Sequence, residues 1–283
     1  MGGLKLAFIG DAHGRVLHAL AAVIGAQRQL GVRFDWVFQV GDFGAFPSPG
    51  EIRWIGVDAV EPSAREFLNV LRTPAPDERL RRVREQLIRP VVFLRGNHDS
   101  AGWLRGLPLQ GGLAAADPHD LFRYAPDGTV LDLGAVTVAF LGGIEKPGPA
   151  SSPYPGSELI DDLAFETLRA LGPGRVDILI THEPPAGACA FAEGSSRVAE
   201  LVRRLRPAVH VGGHLHVPVG PVAVGGTTYL GLSSLLRSPA RDPARALQPG
   251  SIAVMDTRHG TAGHLDAPWL REIRAGTLSR WLP

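Results

Sequence analysis

The 283-residue chain has one cysteine, Cys189. That excludes an internal disulfide framework and a cysteine-cluster metal site, and it leads us to expect a reducing, cytoplasmic setting. Lysine is nearly as scarce. Lys5 and Lys146 stand alone, so almost all positive charge is arginine. Net charge is scarce too, at +1, which argues against a protein that grips a long nucleic acid or a membrane surface by bulk electrostatics. The arginine runs at 79–84 and 203–206 read as solvated helix faces. No apolar run reaches the length of a membrane span, so no membrane partner is expected. The run at 4–9 is too short for the core of a signal peptide and leads straight into a Gly-Asp turn. No internal repeat is visible.

What is present is glycine and proline, 35 and 24 residues, punctuating short β-branched or aromatic runs. Strands are expected at 4–9, 36–40, 91–94, 176–180 and 208–211, each ending in a glycine-bearing polar turn. Helical spacing appears in Leu17, Leu20 and Ile24; in Leu80, Val83 and Leu87; in Phe165 and Leu168; and in Val198, Leu201, Val202 and Leu205. Three strand pairs lack an intervening helix: 129–133 with 136–141, 222–224 with 227–231, and 251–256 with 261–265. The sheet content is therefore mixed. With 45% hydrophobic residues, one compact α/β domain over 1–283 is expected. The segment 43–67, carrying Phe46, Trp54 and Ile55, is inserted after a strand that bears chemistry. It reads either as a substrate-shaping loop or as a surface flap packed by its own aromatics.

Five short motifs sit just past expected strand ends: Gly10-Asp11-Ala12-His13-Gly14, Gly41-Asp42-Phe43-Gly44, Gly96-Asn97-His98-Asp99, Thr181-His182-Glu183, and Gly212-Gly213-His214-Leu215-His216. Strand ends of an α/β sheet converge on one crevice, where residues distant in sequence meet. Asp11 and His13 are two apart, as are His214 and His216. In an extended segment each pair points to one side of the backbone. Carboxylate, imidazole and amide donors without thiolate suit Mn, Fe, Zn, Co or Ni and do not choose among them.

This ordered set resembles the calcineurin-like metallophosphoesterase family over residues 11–216. The resemblance implies an α/β fold of two mixed β-sheets packed face to face and flanked by helices. It implies one divalent ion on Asp11, His13, Asp42 and His216 and a second on Asp42, Asn97, His182 and His214, with Asp42 bridging and Mn the first expectation. Two such ions about 3.5–4 Å apart share a water, lower its pKa toward about 7 and supply a metal-bound hydroxide for in-line attack on phosphorus. His98 is left to protonate the departing oxygen, with Asp99 orienting its ring. Asn97, Arg15 and Arg95 are candidates for phosphate contacts, and Arg95 reads equally as a salt-bridged strand-end residue. His18 and His210 read as buried structural residues, and His119, His259 and His264 as loop or surface residues.

Residues 93–99 look like the phosphoprotein phosphatase signature. That group has Asp-Arg-Gly shortly after its Gly-Asp, whereas Gly41-Asp42 here leads into Phe43-Gly44-Ala45-Phe46. A fainter similarity to RNA lariat debranching enzymes lies in Gly10-x-x-His13-Gly14, Gly41-Asp42-Phe43, Leu107-Pro108 and Gly111-Gly112, with Asp11 where those enzymes usually carry cysteine. The stretch Thr181 to Pro185 resembles bacterial and archaeal phosphodiesterases of small substrates. The expected activity is a phosphodiesterase or broad phosphatase acting on a nucleotide-like or other small phosphate ester. The main rival is a nuclease on structured RNA or DNA, which calls for a basic groove involving Arg95, Arg105 and Arg123. A noncatalytic interaction protein, similar to a retromer subunit on the same scaffold, would have lost ligands, and none is missing.

Overall fold

The computed structural model describes residues 3–55, 61–146, 156–190, 193–237, 242 and 245–283. Fourteen strands occur among them: β1 (Lys5–Ile9), β2 (Trp36–Gln39), β3 (Val91–Phe93), β4 (Leu109–Gln110), β5 (Leu113–Ala115), β6 (Phe122–Tyr124), β7 (Val130–Asp132), β8 (Thr137–Leu141), β9 (Ile178–Thr181), β10 (Val209–Gly212), β11 (Val219–Val224), β12 (Thr227–Gly231), β13 (Ile252–Asp256) and β14 (Thr261–His264). The helices are α1 (Val16–Leu30), α2 (Glu66–Arg72), α3 (Glu78–Glu85), α4 (Ala101–Arg105), α5 (Asp162–Arg169), α6 (Ser196–Leu205) and α7 (Leu278–Trp281). One sheet runs β14-β13-β1-β2-β3-β6-β5-β4 and the other β11-β12-β10-β9-β8-β7.

The sheets face each other across a shared core, and strand alternation builds it. Leu6 and Phe8 of β1 join Phe38, Val92, Val138, Phe140, Ile178, Ile180, Val209 and Val211 between the sheets. Ala7 and Ile9 point the other way, into the layer formed with α1. On the second sheet Ala139, Leu141 and Leu179 meet the stripes Phe165, Leu168, Val198, Leu201 and Leu205 of α5 and α6. Successive residues of a strand face opposite sides, so strands covered on both faces read as nearly unbroken apolar runs. The result is the expected two-sheet sandwich flanked by helices.

Helix starts follow local capping chemistry. The side chains of Asp77, Asp161 and Ser195 accept from the backbone N–H groups of Leu80, Ala164 and Val198 at the starts of α3, α5 and α6, which satisfies donors that a helix leaves open. Glu66 does the same for α1 from a distance: its Oε2 accepts from Leu17 and His18 N–H, while Oε1 lies 2.7 Å from His18 Nδ1. Two arginines of 79–84 form exposed pairs, Arg81 with Glu78 and Glu85 and Arg82 with Glu78, while Arg84 pairs with Asp120. No helix among the described residues is long and apolar enough to cross a membrane.

Three expectations need adjustment. β9 starts at Ile178, two residues later than the apolar run suggests. β4, β5 and β6 form an extra edge that sequence reasoning missed, because two- and three-residue strands carry no readable alternation. β11 reaches back to Val219 through Gly220-Pro221, with a register shift between Val219 and Val222. Proline is tolerated there because β11 is an edge strand. The 43–67 insertion lies partly outside the described residues.

The topology positions the site. β1, β2 and β3 are parallel neighbours in one sheet, and β8, β9 and β10 in the other. Parallel neighbours place their carboxyl ends together, so the five motifs meet at one edge of the sandwich.

Candidate metal centre

The loops after β1 and β2 are laced together before any side chain is considered. The Asp42 carbonyl accepts from Ala12 N–H at 3.0 Å and His13 N–H at 2.8 Å, and the Phe43 carbonyl accepts from Gly14 N–H at 2.8 Å. Gln39, fully buried, braces the same loops: its Nε2 donates to the carbonyls of Gly10 and Gly41, and its Oε1 accepts from Gly41 N–H. Sequence reasoning missed Gln39. Its signal was a polar residue ending an apolar strand, since a buried amide needs partners.

Four expected ligands have left-handed backbones: His13 (φ 46°), Asp42 (φ 50°), His214 (φ 70°) and His216 (φ 58°). A non-glycine residue there costs roughly 1–3 kcal/mol and persists where its surroundings over-determine it. This corrects the expectation that Asp-x-His and His-x-His are extended segments. The left-handed turns send His216 and His214 to different partners, where an extended strand would have sent them to the same side.

Asp11, His13, Asp42 and His216 form one donor group, and Asp42, His182 and His214 a second, with the ligand atoms of each within 4.8 Å of one another. In the first, His216 Nε2 is 3.0 Å from Asp11 Oδ2 and 3.0 Å from His13 Nε2, which is 3.8 Å from Asp42 Oδ2. In the second, His182 Nε2 is 3.4 Å from Asp42 Oδ1, and Asn97 Oδ1 lies 3.0 Å from His182 Nε2 and 3.1 Å from His214 Nδ1. Asp42 thus presents a different oxygen to each group. All seven residues expected as ligands come together here.

The donor set fits a cation. His182 Nδ1 is 3.0 Å from the Val40 carbonyl, which can only accept, so Nδ1 carries the proton. Its Nε2 then faces the oxygens of Asn97 and Asp42, and a cation would share that face. A hydrogen bond from a ligand histidine to a carbonyl is the usual way of aiming the other nitrogen at a metal. Oxygen and imidazole donors without sulfur suit divalent first-row ions.

Burial and charge act in opposite directions across the cluster. Burial lowers the His13 pKa well below the ordinary value, and burial followed by the His182 charge lowers that of His214 to about 4. Burial opposes charge on Asp42 and His182 as well. There, their mutual attraction prevails, with Asp42 held well below the carboxylate range by His182, His98 and His13, and His182 held above its usual value by Asp42 and Asp11. His216 is exposed, which opens the first group to solvent.

The residues expected to act on substrate fare differently. His98 is half-buried beside His13, with ring centroids 5.5 Å apart. Its Nδ1 lies 2.6 Å from the Trp54 carbonyl. Asp99 does not orient that ring. Its carboxylate accepts from the N–H groups of Gly96, Phe43, Gly44 and Ala45, binding one motif loop to the next. Burial and then the Asp42 charge push Asp99 up to about 6. The short polar residue after His98 is a loop clamp, and the partner of His98 comes from the insertion, beyond the reach of any local pattern.

Arg95 takes the salt-bridged one of its two readings. It is fully buried, with Nε 2.6 Å from Asp127 Oδ2 and its terminal nitrogens donating to the carbonyls of Ser157 and Leu159, so it anchors a loop and does not face phosphate. Arg15 is fully buried at the start of α1, near enough for its charge to disfavour protonation of His13. Arg123 pairs with Asp120, while Arg105 is exposed beside Tyr124 and Asp127. These arginines do not form the basic groove a nuclease reading required. His210 is buried, with Nε2 2.8 Å from Thr181 Oγ1, and burial pushes it down to about 3. Glu183 accepts from Glu145 N–H and ties two loops.

Glycine is required where the backbone passes a ligand closely. A Cβ on Gly96 would lie 2.2 Å from Asp42 Oδ1 and 2.3 Å from Asp42 N. Gly96→Ala is therefore expected to displace Asp42 and weaken metal binding by roughly the 10–100-fold seen when a ligand's support is lost. Metal titration of the folded variant measures this, and wild-type affinity would refute the close-approach argument.

The family model for calcineurin-like phosphoesterases matches residues 4–218. The chain is similar to lariat debranching enzymes of Drosophila melanogaster, 23% identical over 246 residues covering 75% of this chain and 43% of that enzyme. It is likewise similar to that of Caenorhabditis briggsae, 20% identical over 253 residues covering 75% and 46%. The chain therefore spans under half the length of these relatives. A crystal structure of a Thermus thermophilus protein superposes with a TM-score of 0.54 at 14% identity, covering 93% of this chain and 99% of that one, a likeness of fold alone. With the motifs in order, the sandwich formed and the donor groups assembled, the chain belongs to the calcineurin-like phosphoesterase family.

Proposed function

We propose that this hydrolase cleaves a nucleotide-like or other small phosphate ester, as a phosphodiesterase or broad phosphatase, at a centre of two divalent ions with Mn first among them. The observation that carries this reading is Asp42, which offers Oδ2 to one donor group and Oδ1 to the other. Asp11, His13 and His216 would complete the first site, and Asn97, His182 and His214 the second. Bound there, the ions supply Lewis-acid activation of water and positive charge for the phosphoryl oxygens. Asn97, whose side-chain oxygen faces two imidazoles, would approach a phosphoryl oxygen through its amide N–H. His98, half-buried at the edge of the cluster, donates a proton to the leaving oxygen. Asp99 holds the loops carrying Asp42 and His98 in register.

A small substrate is favoured because Arg95, Arg105 and Arg123 do not line one groove. The likeness to lariat debranching enzymes supports a nucleic-acid phosphodiester as the second reading. The lone Cys189 supports a reducing cytoplasm, and the core shared by both sheets supports one domain. The experiment is elemental analysis of the purified chain. It is followed by assays of chelated and Mn-, Fe-, Zn-, Co- or Ni-reloaded protein on p-nitrophenyl phosphate, its bis ester, cyclic nucleotides and short RNA. We expect up to two ions per chain and metal-dependent hydrolysis. No bound metal and no restored activity would sink the reading, and RNA cleavage with steeply salt-dependent binding would favour the nuclease.

A further inference from the structure

We infer that the insertion after β2 is a positioning element for His98, acting through the Trp54 carbonyl. This rests on the reading of His98 as the proton donor and names what aims it. The insertion carries a small core: Phe46, Ile52, Ile55 and Ala64 are buried against one another and against Leu68 of α2, with Trp54 packed at the edge. Residues 52–55 form a 3-10 turn on that core, so the direction of the Trp54 carbonyl is set by packing.

Several links join this unit to the Gly96–Ser100 loop. His98 Nδ1 is 2.6 Å from the Trp54 carbonyl. Ser100 Oγ donates to Glu51 Oε1 at 3.2 Å, and Ser48 Oγ donates to Glu51 Oε2 at 2.6 Å. Ser100 N–H donates to the Ala45 carbonyl at 3.1 Å. A carbonyl can only accept, so Nδ1 keeps a proton in both ring states: the imidazolium gives its Nε2 proton to the leaving oxygen and becomes the neutral Nδ1–H ring. The ring cannot spin without breaking that bond. An uncharged acceptor also fixes the ring without adding negative charge beside a departing oxyanion. Phe46, Ile52 and Ile55 thus have a role beyond covering the surface: they hold one carbonyl, and the carbonyl holds one tautomer.

The test uses the Zn-loaded chain, nitrogen-15 labelled at histidine, with Ile52→Ala and Glu51→Ala as perturbing variants and Ile52→Val and Glu51→Gln as conservative partners. Ring NMR of wild type should show His98 protonated at Nδ1. Ile52→Ala and Glu51→Ala should lose that single tautomer and lower kcat for an alkyl phosphate ester by roughly 10–100-fold, the cost of misplacing a reacting group. KM, metal content and p-nitrophenyl ester turnover should change little, and the conservative variants should recover most of the loss. Two perturbing variants guard against one failing to fold. An Nε2–H tautomer in wild type overturns the inference, as does an unchanged His98 ring and kcat in both folded alanine variants. If the Nδ1–H tautomer and its loss hold while His98→Ala slows both ester types equally, the positioning stands and the proton-donor reading falls.

Discussion

Asp42→Ala is expected to empty both metal sites at once and to lower phosphoesterase turnover by roughly a thousandfold or more, since the charge stabilisation that metal ions provide amounts to several kcal/mol. The reason is geometric. Oδ2 is 3.8 Å from His13 Nε2 and Oδ1 is 3.4 Å from His182 Nε2, so one side chain serves two otherwise separate groups. Loss of His13 would spare the second group, and loss of His214 the first. Asp42 Oδ1 also accepts from His98 N–H at 2.7 Å, so alanine leaves a loop donor open. Asp42→Asn can keep that hydrogen bond while removing the charge. The pair of variants therefore separates folding from metal binding. Elemental analysis beside kinetics on the same preparations is the measurement, and two tightly held ions in Asp42→Ala would refute the bridge.

For His98→Ala, metal content should stay nearly intact while turnover falls by about the 10²–10⁴-fold typical of general acid–base groups. Its Nδ1 is engaged by the Trp54 carbonyl and its ring lies beside His13, yet it belongs to neither donor group. The loss should depend on the leaving group. A p-nitrophenolate departs with little protonation, whereas an alkoxide such as a ribose oxygen needs the proton, so alkyl esters should slow far more than activated aryl esters. If metal is lost in proportion to activity, His98 is a ligand or a support. If chemistry limits both reactions and both esters slow equally, it positions phosphate instead.

The sequence by itself determined the main strands and, through the family resemblance that the motifs at their ends carry, the sandwich and the expected ligand set. Apolar runs ending at Ile9, Val40, Leu94, Ile180 and Val211 mark strands buried on both faces, and every expected ligand follows one of those ends. Other features were decided only by tertiary structure. The left-handed backbones of His13, Asp42, His214 and His216, where extended segments were expected for the paired motifs, are held in place by contacts across the cluster. The roles of Asp99 and Arg95 followed from partners many residues away: Asp99 meets the N–H groups of 43–45, and Arg95 meets Asp127 and Leu159. Trp54 was legible as an aromatic in an insertion. That its backbone carbonyl meets His98 was not, because a carbonyl is common to every residue and only the fold gives it a direction.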